Sequence, residues 1–148
     1  MRLFFDEDQG KGVAIALHAV GIVSDYVGPS RTIKKQTPDE DWIPIIGKRG
    51  NLVISSNKAI LTTESQHQLW IAHKVGGVFF TTNHINAINR LKLLLRKQAW
   101  LERIDADQRP FAWYLTPSGD VRRAPEIPLI GPDGQFLLFP SEPSASAQ

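Results

Sequence analysis

Arg2-Leu3-Phe4-Phe5-Asp6-Glu7-Asp8 is the stretch on which the reading of this chain turns. An apolar run that stops abruptly on carboxylates predicts a short buried strand whose C-terminal end delivers acidic side chains to a surface. Directly downstream, Val13, Ala16, Leu17 and Val20 recur at helical spacing, and Gly21 stands where such a helix would end. A strand followed at once by a helix is the opening unit of an α/β fold.

The pattern repeats along the chain. Residues 21–27 predict a second strand, and Gly28-Pro29-Ser30-Arg31 with the basic pair Lys34-Lys35 marks a loop. Thr37-Pro38-Asp39-Glu40-Asp41-Trp42 has the grammar of a helix start, with Thr37 or Pro38 near the cap and carboxylates in the first turn. Pro44 fits that helix if it begins no earlier than about Asp41. Asn51 to Ser56 predicts a strand breaking at Asn57, Ser65 to Lys74 a helix, and Gly77 to Thr82 another strand. Helices between strands predict a mostly parallel sheet with right-handed crossovers. The longest periodic segment, His84 to Ile104, predicts one helix capped by Asn83, with Ile88, Leu91, Leu94, Leu95 and Leu101 on its apolar face. Phe111 to Leu115 and Val121 to Arg123 flank the turn sequence Pro117-Ser118-Gly119-Asp120 and predict a closing hairpin. The expected division is a domain over residues 1–124 and a Pro/Gly/Ser-rich tail over 125–148, in which Phe136 to Phe139 is the one segment expected to dock.

Composition narrows the chemistry. The 148 residues contain no cysteine, which excludes disulfides, thiolate zinc sites and a thiol nucleophile and fits a reducing compartment. Asp6 arrives too soon for a signal peptide and no apolar run reaches membrane-spanning length, so a cytoplasmic protein with no membrane partner is expected. Net charge is only +2, so attraction to nucleic acid has to come from local patches. The four histidines lack metal-ligand spacing, and neither a phosphate-loop fingerprint nor a Gly-x-Ser-x-Gly elbow is present.

Ligands of open parallel sheets bind beyond the carboxyl ends of the strands. Those ends carry Asp6-Glu7-Asp8, Asn57-Lys58 and Thr81-Thr82-Asn83, and Asp39-Glu40-Asp41 opens a helix nearby. Converging carboxylates repel one another unless a cation neutralises them, and oxygen donors suit Mg²⁺ or Mn²⁺, ions that activate water and stabilise charge on phosphate esters. Spacing alone supports equally a structural role, with Glu7 and Asp8 capping one helix and Asp39 to Asp41 complementing the dipole of the next.

The order of these pieces resembles the PIN-like family, in particular its VapC-type toxin-like branch. Leu3-Phe4-Phe5-Asp6-Glu7-Asp8 resembles that group's apolar strand ending in Asp-Glu. Pro38-Asp39-Glu40-Asp41-Trp42-Ile43 followed by Gly50-Asn51-Leu52-Val53-Ile54-Ser55-Ser56-Asn57-Lys58 is similar to its "Asp-Glu-x-Trp, then Gly-x-Val-Val-Ile-Thr-x-Asp-Lys" signature. Pro110-Phe111-Ala112-Trp113-Tyr114 and the turn at Gly119 resemble its C-terminal hairpin, so the likeness spans roughly residues 1 to 124. The resemblance implies a three-layer α/β/α domain around a mostly parallel sheet. It also implies an endoribonuclease using Mg²⁺ or Mn²⁺, with RNA as substrate and an antitoxin protein as partner; a homodimer is a separate expectation that no motif in the sequence specifies. Carried over position by position, Asp6 is the first-strand ligand and Asp39 the acid at the helix start. Asp8, Glu40 or Asp41 assist, and Asn57 stands at the third position, where the family pattern has Asp. A neutral amide there implies weakened activity, the alternative being a catalytically degenerate module that binds RNA or an antitoxin. Asn83 caps a helix or contacts the site.

Lys34, Lys35 and Lys58 lie nearest the expected site and are the candidate contacts to nucleic acid. Lys92, Arg96 and Arg103 share one face of the long helix and Arg90 with Lys97 forms a second stripe, read either as RNA contacts or as a solvated face. Trp42, Trp70, Trp100 and Trp113 follow apolar patterns and are expected in the core.

Overall fold

Strands buried on both faces need apolar side chains at every position, and the short apolar runs become such strands. In the computed structural model, which describes residues 1–28 and 31–128, four of them form the centre of one six-stranded sheet whose two edge strands are only partly buried. The strands are β1 (Leu3–Phe5), β2 (Ser24–Tyr26), β3 (Leu52–Ser55), β4 (Gly76–Phe80), β5 (Phe111–Leu115) and β6 (Val121–Arg123). Their order is β2-β1-β3-β4-β5-β6, with every pairing parallel except the β5–β6 hairpin.

Alternation along the strands divides the core into two layers. Leu3 and Phe5 of β1, Leu52 and Ile54 of β3, and Val78 and Phe80 of β4 pack with α1 (Gly12–Ala19), α5 (Ala87–Arg96) and α6 (Gln98–Asp105) through Leu17, Leu94, Trp100 and Leu101. Phe4, Val53 and Phe79 face the other way, toward α2 (Asp39–Arg49), α3 (Ala59–Thr62) and α4 (Glu64–Ala72), where Trp42, Ile43, Ile46 and Trp70 meet them. The result is the expected α/β/α arrangement, and all four tryptophans are buried in it. No helix of the described residues is long and apolar enough to cross a membrane.

The two helices that cover the second face approach closely at a glycine. A Cβ on Gly47 of α2 would lie 2.5 Å from the backbone carbonyl oxygen of His73, just past α4. Backbone cannot swing aside as a side-chain tip can, so Gly47→Ala is expected to cost about 2 kcal/mol or more of stability by urea unfolding. An unchanged midpoint would show that the two helices do not pack this tightly.

Several sequence expectations need correction. The helix predicted over His84–Ile104 is two helices that meet at Lys97, and its cap is Asn86, whose side chain accepts from Asn89 N–H at 3.0 Å, rather than Asn83. Helical spacing continues through the break, but the residues buried in the core are Leu93, Leu94, Trp100, Leu101 and Ile104, with Leu91 partly buried against them. Ile88 and Leu95, expected on the apolar face, are 55% and 42% exposed. The helix at Asp39 begins earlier than Pro44 was expected to allow, so the proline lies inside α2. Its ring removes the N–H that would pair with the Glu40 carbonyl, and burial of Trp42, Ile43 and Ile46 on the sheet outweighs that loss.

Residues 125–128, assigned by composition to the tail, continue the packing: Ile127 is buried in the second layer, and Tyr114 Oη donates to Glu126 Oε1 at 3.0 Å. The remainder of the expected tail, including Phe136–Phe139, lies outside the described residues.

Candidate functional site

The chain leaves neighbouring strands β1 and β3 toward opposite faces of the sheet, because α1 covers one face while α3 and α4 cover the other. Such a divergence opens a crevice at the carboxyl ends of the two strands. A cleft of about 420 Å³ lies there, lined by Asp6, Glu7, Asp8, Val27, Thr37, Asp39, Trp42, Ser56, Asn57 and Asn83.

Asp6 is the most constrained of these residues. Only 6% exposed, it follows β1 directly and its backbone N–H continues the ladder to the Ile54 carbonyl at 3.0 Å. Its Oδ1 accepts from Glu7 N–H at 2.7 Å, capping a 3-10 turn over Glu7–Gln9, and its Oδ2 accepts from the Ser55 hydroxyl at 2.9 Å. The Ser55 oxygen in turn accepts from Asn57 N–H at 2.9 Å, so one buried serine at the end of β3 fixes both Asp6 and the Asn57 backbone.

Asp39 approaches from α2. The indole of Trp42 donates to its Oδ1 at 2.8 Å, so the residue that anchors the helix in the core also orients the carboxylate. Its Oδ2 accepts from the Asn57 side-chain amide at the long distance of 3.4 Å. Asp8 is held at both oxygens, accepting from Gln9 Nε2 at 3.0 Å and from Ser56 N–H at 2.9 Å. Gln9 Nε2 also donates to the Ser56 hydroxyl at 2.8 Å, and Arg90 donates to Gln9 Oε1 at 2.8 Å, bracing this acidic loop against α5.

Among the described residues no Lys or Arg forms an ion pair with Asp6, Asp8 or Asp39. Burial, followed by repulsion from Asp8, pushes the Asp6 carboxyl up to about 7, against the hydrogen bonds from Ser55 and Glu7 that favour its charged form. Asp39 is raised as well, first by burial and then by Glu40, Asp8 and Glu7, in opposition to the Trp42 indole.

The upward shift of these buried carboxyls couples folding to pH. Between the unfolded carboxyl pKa of 3.8 and the folded value of about 7, Asp6 binds more proton in the native than in the unfolded chain. Its contribution to stability is therefore fullest below pH 4 and is lost as pH rises toward 7, with Asp39 acting in the same direction. Urea unfolding in chelator should show this component declining over that window and level above it. A component that instead rises from pH 4 to 7 would contradict the uncompensated cluster.

Of the residues singled out in the sequence, the structure brings Asp6, Asp8, Asp39, Asn57 and Asn83 to the cleft. It does not bring Glu40 or Asp41 there. Glu40 accepts from Ser65 Oγ at 3.1 Å and Gln66 Nε2 at 3.3 Å, tying α2 to α4, while Asp41 is exposed. Lys35 lines the adjoining hollow with Glu7, Lys11 and Tyr26, Lys34 is exposed, and Lys58 Nζ donates to the Thr81 carbonyl at 3.1 Å. The contributors that the sequence reading missed are Ser55, Ser56, Gln9 and Arg90. A serine closing an apolar run was the one available signal, whereas Arg90 sat in a stripe read as nucleic-acid contacts or a solvated face.

The donor set suits partial coordination. Among the described residues no three Asp, Glu, His or Cys side chains form a group that could by itself hold an ion. Mg²⁺ is commonly bound through one or two carboxylates, with water and substrate phosphate completing the shell. Asp6 and Asp39, uncompensated and raised in pKa, fit that pattern.

A family model described as a PIN like domain matches residues 1–82, just over half of the 148-residue chain and inclusive of Asp6, Asp39 and Asn57. Comparison with curated proteins and with solved structures returned no match.

Proposed function

Because this chain belongs to the PIN-like domain family, whose general character is that of a nuclease, we propose that it is a divalent-metal-dependent endoribonuclease acting in the cleft of Asp6, Asp39 and Asn57. The observation that carries the reading is a pair of carboxylates raised in pKa, with no cationic partner among the described residues, at the sheet's topological switch.

Asp6 and Asp39 would hold Mg²⁺ or Mn²⁺, with the Asn57 amide oxygen as a neutral third donor. When bound, such an ion lowers the pKa of water and stabilises charge on phosphoryl oxygens. The chain's own residues prepare the site. Ser55 and the Glu7 N–H fix the Asp6 carboxylate, the Trp42 indole fixes Asp39, and Asp8, pinned by Gln9 and Ser56, supplies negative potential that favours a cation. Asn83 lines the same cleft at the end of β4, within reach of a substrate laid across it.

The test is cleavage of a single-stranded oligoribonucleotide with Mn²⁺ or Mg²⁺ and with chelator, comparing wild type with Asp39→Asn. Cleavage dependent on metal and on Asp39 is expected. Cleavage that persists in chelator, or that Asp39→Asn leaves untouched, would refute the reading.

A second reading rests on Asn57, whose side chain donates to Asp39 where a carboxylate would bring another anionic ligand. In that case the chain is a degenerate module that binds RNA or an antitoxin without cleaving. Our proposal of the VapC-type branch, with an antitoxin as partner, rests on the motif from Pro38 to Ile43 and the strand ending at Asn57-Lys58. Co-purification with the product of a neighbouring small DNA-binding gene would support that branch, and a chain that associates with no such protein would argue against it.

A further inference from the structure

Beyond the acidic cleft, the same edge of the sheet carries a groove of opposite charge. Thr82, which follows β4 and adjoins the cleft residue Asn83, begins a hollow of about 410 Å³ lined also by His84, Asn86, Asn89, Lys92 and Arg96 and walled by Pro117. A second hollow of about 370 Å³ shares Arg96 and continues past Lys97 and Trp100 to Ser118 and Gly119 in the β5–β6 turn. The two hollows meet at Arg96 and lie between α5–α6 and that turn.

The cations in them are organised rather than scattered. Lys92, Arg96 and Lys97 fall within about a turn and a half at the C-terminal half of α5 and its junction with α6. Among the described residues none of the three forms an ion pair with a carboxylate. The turn is held against them by Gly119, whose φ of 98° suits glycine. A Cβ there would come within 3.1 Å of Arg96 Nη2 and 3.2 Å of Lys97 Cε. Thr116, Ser118 and Asp120 fix the turn from within: Ser118 Oγ donates to Asp120 Oδ2 at 3.2 Å and Asp120 N–H donates to Thr116 Oγ1 at 3.0 Å. Lys92 and Arg96 are exposed and Lys97 is half-buried, and all three line hollows bordered by the Pro117–Gly119 turn, the first of which begins at Thr82 beside the cleft residue Asn83.

We propose that the channel formed by Lys92, Arg96, Lys97 and the Pro117–Gly119 turn holds the sugar-phosphate backbone of a single-stranded RNA whose scissile bond lies in the cleft of Asp6 and Asp39. The identity of the strand as RNA rests on the nuclease reading; the polyanion-binding role of the channel rests on its own charge and shape. The arrangement separates two tasks. Carboxylates at the cleft repel phosphate, and the adjoining cations supply the attraction that brings the strand there. Trp100, buried in the channel wall, shapes it without offering a face for base stacking, so binding should be tolerant of sequence.

The test is fluorescence anisotropy of a labelled single-stranded oligoribonucleotide titrated with intact protein in chelator over a series of salt concentrations. The groove variant Lys92→Gln/Arg96→Gln/Lys97→Gln is compared with a control variant, Arg2→Gln/Lys48→Gln/Lys74→Gln, built from exposed positions away from the channel. Each triple variant moves the net charge from +2 to −1, since +2 − 3 = −1. The groove variant should bind at least about tenfold more weakly, with a salt dependence shallower by about 2, given about 0.7 per single-strand phosphate contact. Lys92→Gln alone should move the slope by about a third of that, and the control variant should behave as wild type. Equal weakening by both triple variants would reduce the effect to net charge and overturn the channel, as would unchanged binding by the groove variant or absence of RNA binding by wild type. Because this assay contains no metal, RNA held in the groove without cleavage in Mn²⁺ would sink the nuclease reading and leave the channel standing.

Discussion

Asp6→Asn is expected to stabilise the metal-free protein while reducing metal-dependent RNA cleavage by at least about a hundredfold. Few substitutions should move stability and activity so far in opposite directions. The amide keeps the shape of the side chain and can still accept from Glu7 N–H, and its other end can donate to the Ser55 oxygen. What disappears is a charge that the site holds at a cost. A rise from 3.8 to about 7 corresponds to roughly 4 kcal/mol of unfavourable free energy at neutral pH and above. Asp6→Asn should therefore unfold at higher urea than wild type in chelator near pH 8, and most of the stability lost between pH 4 and 7 in wild type should vanish. Added Mn²⁺ should then stabilise wild type and leave the variant unmoved. A variant less stable than wild type near pH 8 would mean that Asp6 is compensated, and the argument for a cation site would lose its foundation.

Asn57→Asp should act in the reverse sense. The Asn57 amide nitrogen lies 3.4 Å from Asp39 Oδ2, so a carboxylate in its place would face another carboxylate at close range. Even at an effective dielectric constant of about 20 such a pair repels by several kcal/mol, relieved in part by proton uptake and side-chain movement. The metal-free variant is expected to lose about 2 kcal/mol of stability, and its Mn²⁺ affinity to rise about tenfold or more. Cleavage that rises with affinity identifies a weakened nuclease, whereas cleavage that appears only in the variant identifies the natural protein as the degenerate module. If calorimetry finds stability and affinity both unchanged, residue 57 does not face the ion at all.

The central strands were legible in the sequence because a parallel sheet covered on both faces writes itself as uninterrupted apolar runs, as at Leu3–Phe5 and Leu52–Ile54. The closing hairpin was legible in Pro117-Ser118-Gly119-Asp120. The long helix was misread because apolar spacing persists across Lys97, and only packing against the sheet shows that Ile88 and Leu95 turn outward. Pro44 inside α2 was misread because a local rule was overridden by three buried side chains on the same helix.

The site divides in the same way. That Asp6, Asp39 and Asn57 line one cleft was legible because polar residues at strand ends and helix starts share one edge of such a sheet. Asp39, Glu40 and Asp41 are consecutive in sequence, yet successive residues of a helix point about 100° apart. Only Asp39 of the three lines the cleft, while Glu40 turns to α4 and Asp41 to solvent. Ser55, which joins Asp6 to Asn57, is a small residue closing an apolar run and carries little signal on its own. Gln9 and Arg90 are 81 residues apart, and no local pattern announces that they meet.

The most direct measurement is Mn²⁺ binding followed by the loss of the free-ion electron paramagnetic resonance signal near pH 8, with wild type beside Asp6→Asn and Asp39→Asn. We predict that wild type takes up Mn²⁺ and that each variant binds it at least about tenfold more weakly, since each removes an anionic ligand. Wild type that leaves the Mn²⁺ signal untouched, or uptake equal in all three proteins, would contradict the assignment of this cleft as a metal centre.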